Sequence, residues 1–163
     1  MKFSAFASFV RPEAPGAPDF LIERSVRETA IDFCRRTGVF IPEPENITII
    51  KGINEYDVTV PAGTELNYIT DIFADQKKLK PVSYNRLLES LGDETDQGTP
   101  MYYAQRDNTN FYVAPIPNTA DTFRVLYTLK PTATASSLPD SIAKEHQETC
   151  LLYTSPSPRD LSE

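Results

Sequence analysis

One stretch limits what this chain can become: Pro18 to Phe40, PDFLIERSVRETAIDFCRRTGVF. Ile22, Val26, Ala30, Phe33 and Thr37 recur at intervals of three and four, which sets them on one face of a helix. Glu23, Arg24, Arg27, Glu28, Arg35 and Arg36 lie mostly away from that stripe. Asp19 stands where an N-cap belongs, with Pro18 before it. Arg35 and Arg36 occupy the last turn, where cations favour the negative end of the helix dipole. Gly38 follows, suited to a left-handed C′ position. A lone helix of this length is marginal in water, so its apolar stripe demands a partner.

The flanking sequence narrows the search for that partner. Ser4 to Ala17 reads as an apolar lead, FASFV, followed by an extended connector of prolines and glycine. After the helix, Ile41 to Asn46 is a second proline-stiffened linker, and the apolar period then drops from 3.6 to 2. Ile47–Ile50 and Glu55–Val60 read as a hairpin turning at Gly52. Asn67–Ala74 is a strand, Asp75-Gln76 a turn, and Lys78–Lys80 a short strand. Ser83 caps a short helix, SYNRLLESL, closed by Gly92. Met101–Gln105 and Asn110–Ala114 form strands joined by the turn Arg106–Thr109. Thr122–Leu129 alternates Phe123, Val125, Tyr127 and Leu129 against Arg124 and Thr128. Leu138-Pro139-Asp140 opens a closing helix, with Asp140 or Ser137 as its cap and Ile142, Ala143 and His146 on one face.

This order predicts an α+β fold. N- and C-terminal helices form a partial helical bundle and flank an inserted antiparallel β-module, a small sandwich or twisted sheet. The predicted divisions are residues 1–45 (arm and long helix, the helical base), 46–131 (β-module with one short helix) and 132–149 (start of the closing helix). Residues 150–163 stand apart. Cys150 to Asp160, CLLYTSPSPRD, breaks the closing helix in mid-pattern and is similar to the translation of a transposase-end sequencing adapter. The expectation is a metagenomic sequence truncated after Thr149, with a non-native tail. Discounting Cys150 leaves Cys34 alone and no disulfide.

Charge excludes some roles. The 163 residues carry a net charge of −7, which argues against nucleic-acid binding or membrane-surface binding as the main activity. No apolar run approaches the roughly 20 residues of a membrane span. Met1–Val10 lacks a cleavage site after its short apolar run and reads as a mature cytosolic start. No phosphate-binding loop, dinucleotide fingerprint or zinc spacing occurs. His146 reads as solvated and Cys34 as a small buried apolar group. The acidic GDETDQG loop, with Asp93, Glu94 and Asp96, does not have calcium-loop spacing. Arg35-Arg36 reads as a helix-terminal charge pair before it reads as a phosphate site. Seven tyrosines, Tyr56, Tyr68, Tyr84, Tyr102, Tyr103, Tyr112 and Tyr127, are spread through the β-module. They are the usual tenants of core and rim, with a sugar-stacking platform as the alternative.

The succession of motifs resembles the adaptor, or head–tail connector, proteins of tailed bacteriophages. The resemblance runs through the FxxFV lead, PGAPD, AIDFCRRTGVF, EYDVTVP, DIFADQKKLKPVSYNRL, GTPMYYAQ, FYVAPIP, FRVLYTLKP and Leu138-Pro139, covering residues 1–149. It implies a non-enzymatic virion part without catalytic residues, cofactor or metal. Such a part is assembled in the host cytoplasm as a homo-oligomeric ring, usually twelvefold, and its partners are the portal and tail proteins. Glu23, Arg24, Arg27, Glu28, Arg35 and Arg36 are then candidate subunit-interface residues, because opposite charges on one helix can meet a neighbouring copy in a head-to-tail ring. The alternatives are a carbohydrate- or protein-binding β-module of a tail or cell-wall protein, and an enzyme fragment whose catalytic half lies beyond Thr149.

Overall fold

Phe3, Phe6 and Val10 are spaced three and four apart, and that spacing coils into helix an arm read above only as an apolar lead. In the computed structural model, which describes residues 1–12, 15–91 and 97–145, a 3-10 turn at Phe3–Phe6 runs into helix α1, Ala7–Val10. Phe3, Phe6 and Val10 are all buried. The chain divides into two units. One comprises Met1–Phe40, Pro61–Thr64 and Lys130–Glu163, in its described part; the other comprises Ile41–Val60 and Glu65–Leu129.

In the first unit, proline decides where helices begin. Pro18 has φ −63° and ψ 144°, and its carbonyl accepts the Leu21 and Ile22 N–H groups at 3.1 and 3.2 Å. Helix α2 therefore runs Asp19–Thr37. Asp19, expected as the cap, is instead the first helical residue. The ring of Pro18 fixes φ and takes the extended cap conformation itself. The Asp19 carboxylate lies at the positive end of the helix dipole and pairs with Arg11. Pro139 repeats the device: its carbonyl accepts Ile142 and Ala143 N–H at 3.1 and 2.9 Å, and residues 140–145 are helical. At the other end of α2, Gly38 adopts φ 62° and donates to the Cys34 carbonyl at 3.0 Å, as expected for a left-handed cap.

The buried stripe of α2 is Ile22, Val26, Ala30 and Cys34. Phe33 and Thr37, expected on it, are half-buried and exposed respectively. A strict four-residue step adds 40° per contact, so the buried line drifts round the helix and reaches Cys34. Its partners are Phe3, Phe6 and Val10 from the arm and Ala135, Leu138, Ile142 and Ala143 from the chain's later part. Backbone bonds tie those two segments together: Phe3 N–H to Ser136 O at 2.9 Å and Leu138 N–H to Met1 O at 2.8 Å. The closing segment thus packs on α2 as anticipated, with the arm as a second partner. Each fully buried large side chain contributes about 1.5–3 kcal/mol.

The second unit is a β-sandwich. Its strands are β1 (Glu45–Ile49), β2 (Glu55–Asp57), β3 (Thr64–Ala74), β4 (Lys77–Lys78) and β5 (Lys80–Pro81). Helix α3 (Tyr84–Leu91) follows, then β6 (Gln97–Gly98), β7 (Tyr102–Gln105), β8 (Asn110–Ala114), β9 (Ile116–Pro117) and β10 (Asp121–Pro131). One sheet has the order β1-β10-β3-β4, the other β2-β8-β7-β5, and β6 and β9 form a short parallel pair. The hairpin expected from Ile47–Ile50 and Glu55–Val60 does not form. β1 pairs with β10 and β2 with β8. The turn between them explains this. Gly52 sits at φ 83° and donates to Pro117 O at 2.9 Å, and Ile53 N–H closes on Ile50 O at 3.2 Å. The Tyr56 hydroxyl donates back to Ile53 O at 2.7 Å. These bonds send the chain across to the facing sheet.

A similar crossing splits the strand expected at Lys78–Lys80. Asp75 and Gln76, both at positive φ, reverse β3 into β4. Leu79 N–H then bonds Ile72 O in the first sheet at 2.8 Å, and Lys80 N–H bonds Met101 O beside the second at 2.9 Å. The sheets meet through Tyr56, Phe111 and Phe123, whose ring centroids stand 5.0–5.9 Å apart. Such aromatic pairs add about 0.5–1.5 kcal/mol beyond burial. Phe123, Val125, Tyr127 and Leu129 are buried as their alternation requires, but Thr128 is buried too, its hydroxyl donating to Tyr68 O at 3.5 Å. On the other sheet's outer face small and large residues alternate, with Tyr102 opposite Ala114 and Ala104 opposite Tyr112. Leu87 of α3 seats on the two alanines. Ser83 caps α3 as expected, its hydroxyl accepting Arg86 N–H at 3.3 Å. Gly92, the acidic residues Asp93, Glu94 and Asp96, His146 and Cys150 lie outside the described residues.

Candidate functional site

The six charged residues singled out on α2 prove to be arranged as pairs. A helix brings i and i+4 side chains together, so Glu23 meets Arg27 at 3.3 Å and Arg24 meets Glu28 at 2.9 Å. Asp32 takes both terminal arginines, Arg35 at 2.6 Å and Arg36 at 3.0 Å. Four of these residues, Arg24, Glu28, Arg35 and Arg36, are exposed with their charges already matched along the helix. Arg27 differs. Its Nε donates to the Ala135 carbonyl at 2.6 Å and its guanidinium lies 5.9 Å from the Phe3 ring centroid. Arg27 and Glu23 are partly buried, with 22% and 34% of their side chains exposed. Arg27 therefore clasps three segments of its own unit. The sequence contained the signal for the i,i+4 pairs but none for the contact with Ala135, which lies 108 residues away.

Beside this face runs a groove of about 590 Å³ lined by Ser25, Glu28, Thr29, Asp32, Phe33, Arg36 and Thr37. Sequence reasoning passed over the exposed apolar side chains. Phe20 is 69% exposed at the start of α2, with Leu21 beside it and Phe9 on α1. In the second unit, Ile50, Ile53 and Met101 are also exposed. Apolar residues exposed singly at a surface are ordinary, and only a contiguous patch of several hundred Å² marks contact with another molecule.

The tyrosines serve mostly as core and rim. Tyr56, Tyr103 and Tyr127 are buried, and burial pushes their hydroxyls above the ordinary tyrosine range. Tyr84 and Tyr112 meet edge to face at 62°, not coplanar, and Arg106 lies 5.1 Å from the Tyr84 ring centroid. Cys34 is fully buried, as a small apolar group would be. Among the described residues, no group of three or more His, Cys, Asp and Glu side chains is placed to hold a metal ion. No described helix is long and apolar enough to cross a membrane.

Among the described residues, the surface features that stand out are matched charges on one helix face and exposed apolar side chains. The SU10 adaptor protein family matches residues 1–156, and the chain belongs to that family. It is thus a bacteriophage adaptor, a structural and virion-associated protein of a kind that interacts with other phage components. The match runs past Thr149, across the junction where the tail read as non-native begins. No curated protein matches the chain.

Proposed function

We propose that this protein is the head–tail adaptor that joins the portal to the tail of a tailed bacteriophage, assembled as a homo-oligomeric ring, twelvefold by family resemblance. Residues 1–45 and 132–149 serve as the helical base and 46–131 as the β-module, with residues 150–163 a non-native tail. The observation that carries the reading is the family match along nearly the whole chain. The role is mechanical and not enzymatic, and it requires neither a membrane nor a specific nucleic-acid sequence. Its partners are the portal and tail proteins, met after assembly in the host cytoplasm.

The charged face of α2, bearing Glu23, Arg24, Arg27, Glu28, Arg35 and Arg36, belongs to the boundary between copies. Arg24, Glu28 and Arg36 are exposed there, and their in-helix pairs would exchange partners across the boundary. The test is a phage whose adaptor gene is deleted. It should accumulate filled heads and separate tails, and the full-length gene should restore joined particles. Joined particles in the deletion strain would refute the assignment. Charge reversal by R24E and R36E in the restored gene should weaken ring formation; unchanged rings at low salt would remove those residues from the boundary.

A further inference from the structure

The two edges of the β-sandwich carry opposite charge. β1 and β4 end one sheet, and β2 and β5 end the other. The short link 50–54 joins β1 to β2, and the single residue Leu79 joins β4 to β5. β1 and β2 therefore share one edge of the sandwich, and β4 and β5 share the opposite one. Glu43 and Glu45 stand just before and at the start of β1, and Glu55 and Asp57 stand on β2. The Glu45 carboxylate accepts the Thr59 N–H at 3.0 Å, beside the end of β2. Glu55 and Asp57 flank buried Tyr56, so alternation turns both to the outer face of their sheet, where both are exposed. The other edge presents Lys77 and Lys78 on β4 and Lys80 on β5, all exposed. The exceptions sit in turns, Lys51 after β1 and Asp75 before β4.

Unlike the charges of α2, these are not matched within the copy. Among the described residues, no cation pairs with Glu43, Glu45, Glu55 or Asp57, and no carboxylate pairs with Lys77 or Lys80. Lys78 takes Asp71 at 3.0 Å. Glu55 accepts a neutral donor, Asn110 Nδ2, at 3.0 Å. Arg106, in the loop after β7 of the same sheet, lies over the Tyr84 ring and donates to the Tyr112 hydroxyl. We propose that the Glu55/Asp57 edge of one copy docks head-to-tail on the Lys77/Lys80 edge of the next. This rests on the ring reading above and names its contacting surfaces.

Three arguments select a second copy as the occupant. Both members of the complementary pair belong to one module, so every copy supplies what the next one lacks. The two groups cannot satisfy each other within a copy. Neighbouring strands lie about 4.8 Å apart, which puts β2 and β5 about 14 Å apart across their sheet, beyond the screening length of about 10 Å at 0.1 M salt. A head-to-tail contact also needs two different surfaces, because each copy must keep one of each kind for the next. Opposite edges suit a ring of many copies, in which successive contacts lie nearly across the subunit from one another. A two-fold contact would instead set like charges together. Lysines on β4 and β5 discourage the addition of a further strand, so the contact is one of side chains. An exposed ion pair gains little alone, and closure of the ring supplies the rest.

The test exchanges the charges. K77E/K80E makes both edges acidic, and E55K/D57K makes both basic. Molecular mass is read by sedimentation velocity at low salt, with a folding check by circular dichroism. Wild type should self-associate beyond the dimer, and each variant alone should be monomeric. Their equimolar mixture should regain association beyond the dimer, because each reversed edge then meets a reversed partner and each native edge a native one. The chain carrying all four reversals should self-associate as well. Variants that associate like wild type, or a mixture that stays monomeric, overturn the proposal; so does a wild type that is monomeric at its highest soluble concentration. Should a variant misfold, carbodiimide coupling of mixed light and heavy isotope-labelled wild type should join Lys77 or Lys80 of one copy to Glu55 or Asp57 of another. No such mixed cross-link overturns the proposal. Intact rings in both variants would refute these edges while leaving the adaptor assignment to the gene-deletion test.

Discussion

Replacing Arg27 by methionine separates a clasp from an interface charge. The variant R27M keeps an unbranched apolar stem and removes only the guanidinium. Three interactions go with it. The bond to Ala135 O is charge-assisted, and its carbonyl belongs to a residue 3% exposed, so water does not readily replace the donor. Hydrogen bonds to charged groups contribute about 1.5–3 kcal/mol. The contact with the Phe3 ring contributes about 0.5–1 kcal/mol. The Glu23 pair, partly buried on both sides, contributes about 0.3–0.5 kcal/mol as an i,i+4 helix pair. The three share one side chain and are not additive, so the expected loss is about 2–4 kcal/mol, or about 4–16 °C in the melting of a chain of this size. R24M is the control: Arg24 is 70% exposed and pairs with exposed Glu28, so its loss should stay within a few tenths of a kcal/mol, about the value of one exposed pair. Urea unfolding followed by circular dichroism measures both, and amide exchange at Phe3 and Leu138 reports whether the clasped segments loosen. Equal stabilities for R27M and R24M would refute the clasp.

Three further outcomes follow from single sites. Gly38 holds φ 62°, so G38V should cost about 1–2 kcal/mol while G38N costs less, measured by the same unfolding. F123A removes a fully buried ring at the meeting of the two sheets and should cost about 3–5 kcal/mol, seen in the near-ultraviolet signal of the sandwich. Asp107 is held below the usual carboxylate range, chiefly by the Thr109 backbone N–H and then that of Asn110. A depressed folded pKa means its stabilisation is present above the unfolded value near 3.9 and disappears as pH falls through the lower folded value. Acidification should thus lower the protection of the Thr109 and Asn110 amides in wild type, taken against the intrinsic exchange rate at each pH, and D107A should show low protection at every pH.

What was legible in the residues follows from range. The α2 helix, its glycine stop, the Ser83 cap and the turn at Arg106–Thr109 depend on neighbours a few positions away, and periodicity reports such neighbours directly. The α+β class came from the same signal, because the period changes once at each linker. Strand partnership did not, since Ile47–Ile50 next to Glu55–Val60 is consistent with a hairpin until the Gly52–Pro117 bond is known. The arm was a different failure. Phe3, Phe6 and Val10 displayed helical spacing, but four residues of α-helix are too few to stand alone, and only their burial against α2 makes them fold. The candidate site divided along the same line. Its i,i+4 pairs were readable from spacing, whereas the commitment of Arg27 to Ala135 and the exposure of Phe20, Ile50 and Met101 depend on contacts that no local pattern encodes.

Salt decides between the two charged boundaries suggested for this protein. If charges on α2 cross between copies, association should weaken as salt rises, because the screening length falls from about 10 Å at 0.1 M to about 3 Å at 1 M. That exchange gains little to begin with: Arg24–Glu28 and Asp32–Arg36 are satisfied within one copy, so crossing the boundary trades one exposed pair for another. The edges of the β-sandwich stand differently. Among the described residues, Glu55, Asp57, Lys77 and Lys80 meet no opposite charge within one copy, so a pair formed across the boundary replaces none, and screening removes its gain. The repulsion between copies of net charge −7 is screened as well and acts the other way, so the slope must be compared between variants. Sedimentation across 0.1 to 1 M sodium chloride, a range spanning those two screening lengths, should show association declining as steeply in R24M/R36M as in wild type. In E55Q/D57N the decline should disappear, because association is already lost at the lowest salt. A decline kept in E55Q/D57N and absent from R24M/R36M would return the boundary to the charges of α2.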